Sequence, residues 1–591
     1  MRCLCKRPSQ HRMKTRTSIT RRTLLKSAVA VPIAMSLPFA ATAQTADTVF
    51  RYAVASPQGH EMLVIYADAV RAMEAMGNEN PMGWLWQWYT HFVNPTTTKG
   101  DEITRIFGDT PSALRSLADE MWNTCQSHAG QDPNHFLPWH RIYVFYFERI
   151  CRHVTGRPDF TLPYWDYTST DPANRGVVPI EFRMPDDPVF GVLYRAERNA
   201  LANSGEPVHM NQPFDAMNID SIMGRQAYST EGSVMGFCRA VDSGIHGRMH
   251  VLIGNSRGMG SVPWAGSDPI FWVHHSNVDR MWASWNRAGG KNPNPAQTPW
   301  TQTFFIYADA NGVRRNRKFS DFFSCLANKY GYDTFIPVPP PPQTAALETG
   351  TATAATLAAG SLLAAATTGT PLKGDDDEER PVDNKRRAAI TGSLLAAAVA
   401  TEAAVAAPKE QVGARGRDAA RLGSAQGASV DLLPAAGARA TQVLGLDESQ
   451  VPDRAGRPQS RKRTFLVLRD LHTWKQPEVL YHVYLRPGNG AGKLDRSTYV
   501  GDINFFDAEF HDHGGGDKGD VLGSNFYSFD VTEILRTMRR GNAKAAGSSL
   551  RVTIVPAGSP AAGSEPLVAT FALVHAEPAP RDTSPRTGPE Y

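Results

Sequence analysis

Cysteine is scarce in this chain: six residues in 591, of which Cys3 and Cys5 sit at the extreme N-terminus. The other four, Cys125, Cys151, Cys238 and Cys325, are irregularly spaced, and no Cys-x-x-Cys pair occurs. An even number permits disulfides in an exported protein, but no disulfide framework and no thiolate-rich zinc module can be read from these spacings. Net charge is equally thin. The 62 basic and 58 acidic residues leave +4, and nine of the basic ones lie at or before Lys26 in a stretch without acids. With no continuous basic stripe, no nucleic-acid partner is expected. Beyond the N-terminal region no apolar run is long enough to span a bilayer. The length exceeds one ordinary domain and leaves room for two or three.

The N-terminus carries a readable address. Thr20-Arg21-Arg22-Thr23-Leu24-Leu25-Lys26 is a twin-arginine pattern, followed by an apolar run over 27–40 and the small residues Ala41-Thr42-Ala43. Residues 1–43 read as a cleavable twin-arginine signal peptide, because the run is short for a membrane anchor and ends in a cleavage-like triplet. The expected location is periplasmic or secreted, with no membrane attachment after signal cleavage. Export in the folded state suits a protein that acquires a metal first.

Residues 44–340 are rich in Trp, Tyr, Phe and His, and their periodicity predicts helices over 59–76, 81–91, 111–128, 141–154, 241–253 and 275–287. The last four make a four-helix set, a common frame for inward-pointing metal ligands. The proline run 337–342 breaks the pattern. Residues 341–460 are dominated by Ala, Thr and Gly and read as a low-complexity linker with some Ala-rich helix; the heptapeptide Gly-Ser-Leu-Leu-Ala-Ala-Ala occurs in it at 360–366 and again at 392–398. Six strand-like segments then fall at 464–468, 479–485, 499–506, 525–531, 550–555 and 568–574, predicting an all-β sandwich over 461–580, with 581–591 as a tail.

Histidine carries the chemistry. His246-Gly-Arg-Met-His250 puts two imidazoles one turn apart on a helix face, and Asp268-Pro-Ile-Phe-Trp-Val-His-His275-Ser-Asn-Val-Asp279-Arg280 adds a third. Upstream, Phe136-Leu-Pro-Trp-His140-Arg141 leads towards Glu148, with His128 and His91 before it. Three nitrogen donors without thiolate suit zinc, copper or iron, and two such sets suggest two ions. These two segments together closely resemble the paired copper signatures of the tyrosinase and polyphenol oxidase family, over roughly residues 50–330. The stretch Tyr499-Val-Gly-Asp-Ile-Asn-Phe-Phe506 looks, more weakly, like the C-terminal β domain of plant-type polyphenol oxidases.

The resemblance implies an α-helical catalytic domain, a four-helix bundle around a dinuclear copper site, joined by the linker to the β domain. It implies two copper ions that bind dioxygen between them. His246, His250 and His275 match the ligand positions of the second copper, with His274 as the alternative to His275. His140 matches the first. His128 stands twelve residues before His140 where the family usually has nine, and His135 is its rival. His91 completes the set by elimination, ahead of His60. Cys125 is a candidate for a thioether to a copper-binding histidine, or a buried thiol. Asp279, one turn after His275, is placed to orient an imidazole, and Phe271 resembles the aromatic over the second copper. Hydroxylating relatives often pair a carboxylate-held water with an asparagine where this chain has Gly247; Asp242 is the candidate carboxylate and Glu231 its runner-up.

The implied function is oxidation of o-diphenols to o-quinones by dioxygen, with a phenolic small molecule and dioxygen as partners. Gly247 puts monophenol hydroxylation in doubt. A latent state is expected, in which the β domain covers the site until an activating protease cuts the linker at Arg380, Lys385, Arg386, Arg387 or Arg415. The alternative is a hemocyanin-like dioxygen-binding protein with the same copper site.

Overall fold

The computed structural model describes residues 48–126, 134–293, 302–339, 384–401, 411–434, 462–488, 493–510, 526–541 and 549–577. The twin-arginine segment, much of the linker and the 581–591 tail lie outside them. Among the described residues no helix is long and apolar enough to cross a membrane.

The helical part contains α1 (Pro57–Glu74), α2 (Trp84–His91), α3 (Lys99–Phe107), α4 (Ala113–Met121), α5 (Phe136–Thr155), α6 (Gly247–Ile253) and α7 (Ile270–Arg287). Two of these, α5 and α7, begin five residues earlier than expected. In α5, Pro138 falls within the first turn, where its missing N–H leaves no helical bond unmade. In α7, Asp268 Oδ1 accepts from the Ile270 N–H at 3.0 Å, an Asx turn that leads the chain into the helix directly after Pro269. Both metal-signature segments are therefore helical, not loops leading into helices. Packing of α5 on α7 is tight: Phe147 stacks on Trp272 at 3.4 Å and 11°. Asp279 accepts from Arg51, Arg141, Tyr330 and Tyr332, while Glu148 accepts from Arg51, Arg152 and the Leu162 N–H. Burial alone would raise both carboxyl pKa values, but the guanidinium neighbours hold them below the usual range.

The strands begin with β1 (Val49–Arg51), β2 (Phe304–Ala308), β3 (Arg314–Lys318) and β4 (Tyr330–Tyr332); β1 pairs with β4 and β2 with β3. The C-terminal set is β5 (Gln411–Gly416), β6 (Ala420–Arg421), β7 (Ala428–Pro434), β8 (Arg463–His472), β9 (Tyr481–Pro487), β10 (Tyr499–Ile503), β11 (Phe526–Asp530), β12 (Leu550–Pro556) and β13 (Leu567–Ala576). The all-β expectation holds, with one curled sheet in place of the two packed sheets of a sandwich. The nine strands form one sheet in the order β10-β9-β12-β7-β5-β13-β8-β11, with β6 on β13, and it curls until its end strands approach. A Cβ on Gly501 of β10 would lie 2.4 Å from the Phe529 ring of β11, so the sheet is a nearly closed barrel.

The linker expectation needs correction. Residues 411–434 supply three of the nine strands, and Ala414, Leu422, Val430 and Leu432 are buried in the barrel core. Their small, Ala- and Gly-rich composition hid a two-residue alternation. Arg415, expected as a protease site, pairs with Ala572 inside the sheet. Residues Asn384–Thr401 form α8, which includes the second heptapeptide copy, and its Arg387 lies over Trp474 at 5.2 Å. A further helix, α9 (Thr532–Gly541), follows β11.

Candidate metal centre

Two clusters of buried donors lie side by side in the helical core. One holds His91, Cys125 and His140; the other holds His246, His250, His274 and His275; within each, the donor atoms lie within 4.8 Å of one another. The His140 and His275 rings stack across the two at 4.3 Å and 8°. Phe271 lies between them, 4.9 Å from the His91 ring and 4.2 Å from that of His275.

Backbone carbonyls fix the ring tautomers. A carbonyl oxygen only accepts, so Nδ1 donates in each of three contacts: His140 to Phe136 O at 2.8 Å, His246 to Asp242 O at 3.2 Å, and His250 to Met259 O at 2.7 Å. Each neutral ring then turns an unprotonated Nε2 inward. The Nε2 atoms of His246 and His250 face each other at 3.0 Å. Two lone pairs at that distance repel, and a shared cation resolves the conflict. Both ring nitrogens of His274 and of His275 are buried without a hydrogen-bond partner among the described residues. Burial and neighbouring imidazoles push His250, His274 and His275 well below the ordinary histidine range, and His91 down to about 3. Neutral, convergent imidazoles fit copper.

The expected residues fare unequally. His91, His140, His246, His250 and His275 are brought together, whereas His128 lies outside the described residues. Its rival His135 packs against Phe319 and belongs to neither cluster. His60 is half exposed and pairs with Glu181 at 2.8 Å. His274 joins the second cluster as a donor instead of serving only as packing. Cys125 Sγ lies 3.5 Å from His140 Nε2, and no disulfide joins the four buried cysteines Cys125, Cys151, Cys238 and Cys325. Asp279 orients no imidazole; it is occupied by arginines and tyrosines of the network above. Asp242 is buried with Oδ1 3.3 Å from His246 Nδ1 and Oδ2 3.5 Å from Arg239. It therefore backs the His246 ring from outside the cluster. Glu231 is exposed.

Sequence reasoning expects the β domain over the site but misses which of its residues reach the histidines. The Phe506 ring lies flat on His250 at 4.0 Å and 11°, and edge-on to His246 at 5.6 Å. Asp507 forms a third cluster with Asp242 and His246. These residues stand more than 250 positions from the histidines they touch; Phe506 closes the strand-like segment 499–506, and Asp507 lies just past it.

Comparison with known proteins agrees with this geometry. Residues 82–225 and 192–288 match the common central domain of tyrosinase. A tyrosinase of Hahella sp. (strain CCB-MM4) is 32% identical over 271 residues, covering 42% of this chain and 55% of that protein. The latent form of a chloroplastic polyphenol oxidase of Prunus armeniaca is 29% identical over 209 residues, covering 30% and 33%. The chain thus spans about half or less of these curated relatives. Among solved structures, a latent aurone synthase (polyphenol oxidase) from natural source superimposes with a TM-score of 0.51 at 16% identity, over 90% of each chain, which establishes a shared fold. The family's cofactor is a pair of copper ions, and the two donor clusters fit it. Between residues 82 and 288 the chain is thus similar to the common central domain of tyrosinase.

Proposed function

We propose that this chain oxidises o-diphenols to o-quinones with dioxygen as the electron acceptor, water being the reduced product. His91, His128 and His140 would hold one copper, and His246, His250 and His275 the other. Bound there, the copper pair supplies the redox chemistry and the site for dioxygen. The observation that carries the reading is the inward-facing pair of unprotonated Nε2 atoms on His246 and His250, set against a second donor cluster across the stacked His140 and His275 rings. The surrounding chain orients and excludes water. Carbonyls of Phe136, Asp242 and Met259 hold the rings in one tautomer, and Phe271 packs between the two clusters. Gly247 offers no side-chain amide, so monophenol hydroxylation is not part of the proposal.

The same reading includes latency. Phe506 occupies the face of His250 where a planar phenol would stack, and the barrel that carries it is docked on the helices. Removing the barrel means cutting before Gln411, since β5, β6 and β7 belong to it; Arg380 and α8's Lys385, Arg386 and Arg387 remain the basic sites for such a cut. The leader supports export by the twin-arginine route, which replacement of Arg21 and Arg22 by lysine should block in a fractionation assay. The test of activity is oxygen uptake by copper-loaded, linker-cut chain with an o-diphenol and its matching monophenol. Uptake with the diphenol alone is expected. Dioxygen binding without turnover of either would favour a carrier instead.

A further inference from the structure

The run Val241–His246, which leads into α6, is a π-turn with a kink at Gly244 (φ −84°, ψ −107°). In an α-helix the Gly247 N–H would bond to the Ser243 carbonyl. Here it bonds to the carbonyls of Asp242 and Gly244, and Ser243 O is released. A buried carbonyl needs a partner. It finds two groups, both from the barrel: Asn504 Nδ2 donates at 2.9 Å, and the Tyr527 hydroxyl lies at 2.9 Å.

The approach depends on a missing side chain. A Cβ on Gly247 would stand 2.6 Å from Asn504 Oδ1 and 3.1 Å from its Cγ. Asn504 cannot turn aside cheaply. It is buried, its Nδ2 is committed to Ser243, and its Oδ1 accepts from the Phe506 N–H at 3.2 Å. That last bond shapes the turn that delivers Phe506 to His250. One amide thus ties three things together: the π-turn before His246, the notch at Gly247 and the placement of Phe506.

We propose that Gly247 and the π-turn form a docking notch, latched by Asn504, through which the barrel is held on the metal site and the helix bearing His246 is held in its π form. The inference rests on the latency reading and specifies the contact that maintains it. Both side-chain contacts on Ser243 O come from the barrel, so undocking would leave that carbonyl to water or to the Gly247 N–H, with relaxation of the turn. Asn504 serves as a latch here and positions Phe506; it touches no reacting atom.

The test uses the full copper-loaded chain with Gly247→Ala, Asn504→Ala and the double variant. Amide hydrogen exchange over 241–247 and 503–506 reports docking, and diphenol turnover before and after linker cleavage reports latency. Each single variant should speed exchange in both segments by about tenfold and raise uncut turnover similarly, as overpacking or loss of one buried contact would. The double variant should add little to either single, because both remove one contact. Unchanged exchange in both singles, or additive effects in the double, would overturn the notch. Should Gly247→Ala fail to fold, Asn504→Ala alone decides. If cleavage leaves wild-type turnover unchanged, the latency reading fails; loss of protection at 241–247 on cleavage and in Asn504→Ala would still support the latch.

Discussion

At the scale of single residues, the site is a set of imidazoles whose protons have been assigned elsewhere. Carbonyl partners take Nδ1–H of His140, His246 and His250, and what faces inward is lone pairs. Replacing His250 with alanine should remove one of two bound coppers, and metal analysis of the purified chain reads that directly; a chain that keeps both would contradict the assignment. The same burial sets a pH dependence. His91, His250, His274 and His275 have folded pKa values below the unfolded value near 6.5, so as pH falls the unfolded chain takes up protons first. Stability of the metal-free chain is therefore full above about 6.5 and declines below it. Each such histidine contributes about 1.4 kcal/mol per pH unit until its own folded pKa is reached, near 3 for His91. Urea melts of metal-free chain between pH 7 and pH 5 should show this decline, and a flat profile would mean that these rings are not buried as neutral groups.

Among elements, the helices that carry the proposed ligands are clamped by charged residues next to His140 and one turn after His275. Arg141 follows His140 on α5, Asp279 follows His275 by four on α7, and Arg51 of β1 joins Asp279 to Glu148. Breaking a buried pair strands its partner, so Asp279→Asn should cost about 3–5 kcal/mol in denaturant unfolding. An effect under about 1 kcal/mol would mean the clamp is redundant. This element also marks how far the sequence could be read. The histidine spacing in His246 to His250 and the His-His275 segment announced the site because metal chemistry tolerates few alternatives. Asp279 misled, since spacing along a helix says nothing of Arg51, 228 residues away. The six late strands were legible from alternation of large apolar residues, whereas β5 and β6 were not, because Ala414 and Ala420 fill the barrel wall with small residues, and the short alternation of Val430 and Leu432 in β7 was hidden by its Ala- and Gly-rich surroundings.

At the scale of the whole molecule, the helical core and the barrel share one buried surface: Leu480 and Phe506 of the barrel segment lie in the same apolar cluster as Phe271 and Trp272. Polar contacts flank it, with Ser256 N–H donating to Glu478 at 2.9 Å and Ser261 Oγ to Glu509 at 3.1 Å. The stopper within this surface is aromatic and faces a histidine. Phe506→Ala in the uncut chain should raise diphenol turnover by about an order of magnitude, by shifting the population of open sites. Turnover that stays at the wild-type level would place the restraint elsewhere in the interface.

The most direct test of the central claim is a copper titration of metal-free, linker-cut chain with quinone formation followed at each addition. Two histidine sets acting as one centre predict little activity through the first equivalent, a rise with the second and a plateau at two. Full activity at one equivalent, or two coppers bound without quinone, would contradict it.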